Sequence, residues 1–295
     1  FHKAVIRSGG IMTSELTAGD ISSAKLLLGL LKRDGYAKYD AVKKLVEMDN
    51  AEIRSYLYAK SPEEILSGYN PTIYGMIGLP VIFRDGYVIP SEGKQVLQNG
   101  TYSQKIPIII GSNTDEVKLF LYWNKKLRKD ELLYNAATEY GSNLWKANGV
   151  DSLAQWLSSH EDQPPVYGYE FRWGSQQENG ESTLPCNRGY ALGACHGLDI
   201  PFFAGTAASG TALFDLIFFT GKNKPGRSSL EETIFSYLSS FIETPASRIR
   251  ASTPLLPDTA ELPQWEAWSN EAGSPKCMIF NADFEQTRLS MNSSV

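Results

Sequence analysis

Only three histidines occur in the 295 residues: His2, His160 and His196. His2 stands at the start of the chain. His160 lies in the polar run Ser158-Ser159-His160-Glu161-Asp162-Gln163, where an exposed ring is expected. His196 differs, because it sits among small and apolar residues in Gly193-Ala194-Cys195-His196-Gly197-Leu198-Asp199-Ile200-Pro201-Phe202-Phe203. An imidazole there can move a proton near neutral pH if a carboxylate fixes its tautomer and stabilises its charged form. Two sources of that carboxylate fit the sequence. Asp115-Glu116 closes the stretch Gly111-Ser112-Asn113-Thr114, and Asp199 follows the histidine by three residues. Taken alone, a histidine between glycines is more often structural than catalytic.

Other reactive patterns are weaker. Cys186, Cys195 and Cys277 contain no Cys-x-x-Cys metal pair, and a Cys186–Cys195 bridge and free thiols are equally open. Gly221-Lys222-Asn223-Lys224-Pro225-Gly226-Arg227-Ser228 nearly spells a phosphate-binding loop. However, Arg227 stands where the lysine belongs and Pro225 removes an N–H from the cradle, so a solvated basic turn is expected. Lys125-Lys126-Leu127-Arg128-Lys129 is too short for a nucleic-acid footprint and reads as a solvated surface. Phe120, Tyr122 and Trp123 suit either packing or a pocket wall. Asn99-Gly100-Thr101 and Asn292-Ser293-Ser294 match the glycosylation sequon, a short pattern that chance supplies often.

The elements that must position these groups follow from periodicity. Ile106-Pro107-Ile108-Ile109-Ile110 is a β-branched run ending in Gly-Ser-Asn, as a strand buried on both faces would be. Tyr167, Tyr169, Phe171 and Trp173 alternate with Gly168, Glu170 and Arg172, a period-two strand. Val5–Arg7 before Ser8-Gly9-Gly10 suits a short strand, and Cys277-Met278-Ile279-Phe280 a last one. Helices are expected from a Ser22 cap, over Asp40–Met48 with Val42, Leu45 and Val46 inward, and from Asp49. Others are expected from Ser61-Pro62-Glu63-Glu64, over Lys129–Tyr140 with Leu132, Leu133, Ala136 and Ala137 inward, and over Ser229–Ile242. Strands separated by helical stretches imply an α/β fold with a mostly parallel sheet, whose chemistry gathers past the carboxyl ends of the strands. Both the Asp115-Glu116 turn and the His196 loop lie there.

Composition sets the outer limits. The net charge is −5 and 21% of residues are charged, which disfavours an electrostatic nucleic-acid binder and wholesale disorder. The longest apolar run, Leu213–Phe219, is interrupted by Asp215 and far too short for a membrane span. The chain opens at Phe1 without a signal peptide and reads as part of a larger or processed chain. The compartment stays open between secreted and cytoplasmic.

These segments, in this order, resemble the type B carboxylesterase/lipase family, the α/β-hydrolases that include carboxylesterases, cholinesterases and large fungal lipases. Phe1-His2-Lys3-Ala4-Val5-Ile6-Arg7-Ser8-Gly9-Gly10 is similar to the family segment that follows the nucleophile elbow. Asp85-Gly86, Pro90, Gly100 and Ile106–Glu116 resemble its Asp-Gly … Gly … Pro-(apolar)-Gly-x-Asn-x-Asp-Glu-Gly stretch. Val166–Phe171, Gly193–Phe202, and Phe241–Pro245 with Pro263-Gln264-Trp265 and Met278-Ile279-Phe280 resemble the later strand, histidine loop and closing elements. The resemblance implies an α/β-hydrolase fold. On it, residues 1–295 would form the carboxyl-terminal part of one catalytic domain, a mostly parallel sheet flanked by helices. It implies Glu116 as triad acid, His196 as base, and Asp115 and Asp199 in supporting roles, with Asp199 bracing the histidine loop as well as being the natural rival to Glu116.

The implied activity is hydrolysis of a small-molecule carboxylic ester, without metal or organic cofactor. Departures stand beside it. Val117 replaces the glycine after the acid, which leaves that turn less free, and Phe203-Ala204-Gly205 shifts the family's Phe-Gly. Gly-x-Ser-x-Gly occurs nowhere in the chain, so the nucleophile and its oxyanion donors are expected from an upstream part of the same domain. Ser8 does not suit that role, because no strained strand-to-helix turn is expected there. The alternative is a binding or adhesion protein that kept the scaffold without catalysis, though retention of both Glu116 and His196 disfavours it.

Overall fold

The computed structural model describes residues 1–69, 82–177, 179–210, 212–245, 249, 253–257 and 261–293. Ser294, the last residue of the second sequon, lies outside the described residues. Two compact units make up the chain: Phe1–Ile11 with Leu97–Val295, and Met12–Val96.

The first unit is built on a five-stranded sheet in the order β1 (Ala4–Arg7), β2 (Ile108–Asn113), β3 (Val166–Phe171), β4 (Cys277–Ala282) and β5 (Thr287–Asn292). The first four run parallel, with Val5 opposite Ile109, Ile110 opposite Gly168 and Tyr169 opposite Met278. Strand β3 is buried along its whole length and β2 nearly so, as sheets covered on both faces require. Glycine is needed where β3 and β4 approach: a Cβ at Gly168 would lie 2.6 Å from the Lys276 carbonyl.

The β4 run extends two residues past Phe280, and it is not the last strand. The chain turns at Asp283, whose carboxylate accepts from the amides of Glu285 and Gln286 at 2.8 Å, and returns as the antiparallel β5. Thr287-Arg288-Leu289-Ser290-Met291-Asn292 is an edge strand with polar residues at most positions, so it carries little apolar signal.

Five longer helices are labelled α1 (Leu16–Arg33), α2 (Lys38–Glu47), α3 (Asn50–Tyr58), α4 (Glu131–Lys146) and α5 (Lys224–Glu243). Helix α5 buries Leu230, Ile234, Tyr237 and Phe241 against the rings of Tyr167, Tyr169, Trp265 and Phe280. Its carboxyl end is capped by Lys3, whose ammonium donates to the carbonyls of Phe241, Ile242 and Thr244. Orphan carbonyls and the negative end of the helix dipole favour a cation there. The expected basic turn is solvated at Lys222 and Lys224, but it leads straight into α5, and Asn223, Gly226 and Arg227 are buried. Arg227 is buried against the Phe219 ring, 4.2 Å from its centroid, and a Cβ at Gly226 would overlap the Asp283 carbonyl.

Helix α4 contradicts the expected inward face. Leu132 and Leu133 are 85% and 54% exposed, while Tyr134, Thr138 and Ser142 are buried. Hydrogen bonds fix this rotation: Tyr134 donates to the Ala191 carbonyl at 2.7 Å, and Ser142 Oγ accepts from the Val117 amide at 3.3 Å.

In the second unit, Asp49 with Glu52 and Ser61 with Glu64 form complete capping boxes, the latter with Pro62 in the first turn. Helix α1 starts at Leu16, so Ser22 lies inside it rather than at its cap. Along α2, Ala41 is buried, and Val42 and Val46 face outward.

Candidate active site

Past the carboxyl end of β2, the chain turns through Asn113-Thr114-Asp115 and delivers Glu116 into the interior, where it is fully buried. The carboxylate is held from three directions. Oε1 accepts from the Asn113 amide at 2.8 Å and from Ser8 Oγ; Oε2 faces His196 Nδ1 at 2.6 Å. A buried carboxylate persists only when hydrogen-bonded in this way. Val117 takes ordinary helical backbone at φ −78°, so a β-branched residue costs the turn nothing there.

His196 arrives on a loop whose backbone needs glycine at two points, Gly193 at φ 51° and Gly197 at φ 80°. Its amide donates to the Glu116 carbonyl at 3.2 Å, so the two residues are tied by backbone as well as side chain. The Glu116 hydrogen bond holds the imidazole above its ordinary value, against burial, which pulls it down. The ring is 34% exposed, and its Nε2 bonds to none of the described residues. With Nδ1–H donating to Glu116, Nε2 is an acceptor in the neutral form, as a general base must be.

Asp115 and Asp199 do not touch the imidazole. Asp115 Oδ2 accepts from Ser175 Oγ at 2.6 Å and from the Ala194 amide at 3.0 Å, and Oδ1 pairs with Lys118 at 2.8 Å. It thus laces the acid turn to the histidine loop, and a Cβ at Gly193 would overlap its carboxylate. Asp199 is buried beneath the loop, accepting from Tyr169 OH at 3.2 Å and facing Arg7 at 3.7 Å. Burial raises its carboxyl above the ordinary range, and Arg7 opposes that rise. Asn113 Nδ2 adds a bond to the Cys195 carbonyl at 2.7 Å. All three cysteines are free, with burial pushing the Cys195 thiol up to about 12, so that thiol is not a nucleophile near neutral pH.

Of three further residues at the site, Ser8 and Phe120 were named from the sequence without these roles, and Trp145 escaped it. Ser8 has strained backbone after all, at φ 50°, but its hydroxyl is committed to Glu116 and sits on the opposite carboxylate oxygen from the imidazole. Phe120 and Trp145 stack on each other, 5.9 Å apart and 4° from parallel, and both contact the His196 ring at 5.3 and 5.1 Å. Phe120 was expected as either packing or pocket wall; Trp145 falls on the α4 face that the apolar pattern assigned to solvent. His160, expected exposed, is half-buried, with Nε2 3.0 Å from the Leu97 carbonyl and its ring against Tyr102.

No protein-family model matches the sequence, and no characterised protein matches it at the sequence level. Solved structures do match. Two crystal structures of the carboxylesterase EST55 of Geobacillus stearothermophilus, at pH 6.8 and pH 6.2, superpose with TM-scores of 0.58 and 0.59 at 20% identity. Each alignment covers 99% of this chain and 56% of that one, so the chain spans little more than half the length of the carboxylesterase it matches. With its mostly parallel sheet flanked by helices, the chain has the α/β-hydrolase fold that these carboxylesterases share.

Proposed function

We propose that residues 1–295 are the carboxyl-terminal part of a serine carboxylic-ester hydrolase domain, with His196 as general base and Glu116 as its acid. The observation that carries this reading is the 2.6 Å contact between His196 Nδ1 and a fully buried Glu116, with Nε2 left unbonded by any described residue. The likeness in fold to a carboxylesterase points the same way without deciding it.

In this reading a serine from outside these residues approaches Nε2. His196 takes the Ser Oγ proton as the oxygen attacks the ester carbonyl, and Glu116 stabilises the imidazolium. The tetrahedral intermediate collapses as His196 returns that proton to the leaving alcohol, giving an acyl-enzyme. Water, deprotonated by the same nitrogen, then releases the carboxylic acid and regenerates the serine. Ser8 steadies the far oxygen of Glu116, and Asp115 and Asp199 hold the two loops together. The ester is a small molecule. The test is turnover of a chromogenic ester by the protein containing this chain and its proposed nucleophile segment. The wild type should hydrolyse it and His196→Ala should not; a His196→Ala protein near the wild-type rate would refute the mechanism.

A further inference from the structure

We propose that Trp145 is a positioning residue for His196, its indole clamping the imidazole against Glu116 so that Nε2 is presented in one orientation. This rests on reading Glu116 and His196 as an acid–base pair. The need arises in the loop. His196 sits between two left-handed glycine positions, a third of its side chain is exposed, and one side-chain hydrogen bond leaves the ring free to tilt. Trp145 supplies the missing restraint. Its ring centroid lies 5.1 Å from the imidazole, and Phe120 backs both rings. The same indole donates from Nε1 to the Ser8 carbonyl at 3.3 Å, and Ser8 bonds the far oxygen of Glu116. One side chain therefore touches the base directly and the acid through one intermediary.

The backbone fixes Trp145 in turn. Two residues beyond it, α4 gives way to a π-helical turn, Ala147–Asp151. Such turns are rare and frequently mark functional sites. Lys146 at its start and Asp151 at its end are paired at 2.7 and 2.9 Å, closing the turn. A Cβ at Gly149 would overlap the Gly9 carbonyl, so the turn lies directly on the segment that follows β1.

The test reads the imidazole itself. Histidine-selective ¹⁵N NMR titration of the protein containing this chain follows His196, with His2 and His160 as internal references. The charged groups near the ring are Glu116 and Asp199; Arg7 pairs with Asp199, and Lys146 with Asp151. In the wild type, His196 should titrate above an ordinary histidine and carry its neutral-form proton on Nδ1. In Trp145→Ala and Trp145→Leu the titration should fall toward the ordinary value and both tautomers should appear, because the ring leaves the carboxylate. Mere cover gives the opposite sign: removing it lifts the desolvation that opposes protonation, and the titration holds or rises with the Nδ1 proton retained. That result overturns the proposal. If the alanine variant fails to fold, the leucine variant, which fills more of the space but has neither ring nor N–H, decides between the same outcomes. Glu116→Gln separates the two readings. A His196 that does not respond to it removes the acid–base pair, whereas a response to it with none to Trp145→Leu removes only the role of Trp145.

Discussion

Glu116 is the residue on which the site turns, because its two oxygens serve different partners: one for the backbone and Ser8, one for His196. Glu116→Gln keeps the shape and changes the donors. An amide nitrogen facing Nδ1 favours the wrong tautomer, so ester turnover should drop on the order of 10³–10⁴-fold, read as kcat/KM. The pH dependence has opposite signs for activity and stability. The base must be neutral to act, so the acid limb of kcat/KM should lie above the ordinary histidine value of about 6.5, since the Glu116 bond raises His196. The same raised value means that the folded state holds the proton more tightly than the unfolded chain. Its contribution to stability is complete below about pH 6.5 and is lost as pH rises through the folded value. The Tm difference between wild type and Glu116→Gln should therefore shrink on going from about pH 6 to about pH 9. A gap that widens over that interval would contradict the assignment.

Among the elements, the turns decide more than the strands do. Gly193→Ala forces an L-residue into left-handed backbone, at about 1–2 kcal/mol, and drives its Cβ into Asp115. Urea denaturation should register that loss, and turnover should fall further than stability alone explains, since the histidine loop must shift. Tyr134→Phe removes a buried bond to Ala191 just ahead of that loop and should cost about 1–3 kcal/mol by leaving the carbonyl unpaired. The Ser61 and Asp49 caps were legible because capping is local chemistry, spelled within four residues. Strand β2 was legible because burial on both faces leaves a continuous apolar run, and β3 because large aromatic rings recur at every second residue. The inward face of α4 was not, because hydroxyls and an indole hold it through partners as distant in sequence as Ala191 and Ser8. For the same reason Glu116 and His196 stood out by residue type, while Ser8 and Trp145 did not.

At the scale of the whole molecule, the sheet of the first unit ends at β1, which pairs with β2 on one edge only among the described residues. Phe1 and Val5 are 84% and 42% exposed there. An unpaired apolar edge invites strand addition. Expressed alone, residues 1–295 should therefore aggregate and hydrolyse no ester, and sedimentation with a turnover assay would detect both; a soluble, cooperatively melting and active product would place the nucleophile among these residues. The most direct test uses a fluorophosphonate, from which an activated serine displaces fluoride to form a phosphonyl ester that survives proteolysis for mass spectrometry. In the protein containing this chain and its proposed nucleophile segment, the label should fall on one serine outside residues 1–295 and should disappear in His196→Ala. A label on Ser8, or a label on any serine that persists unchanged in His196→Ala, would contradict the assignment of His196 as the base.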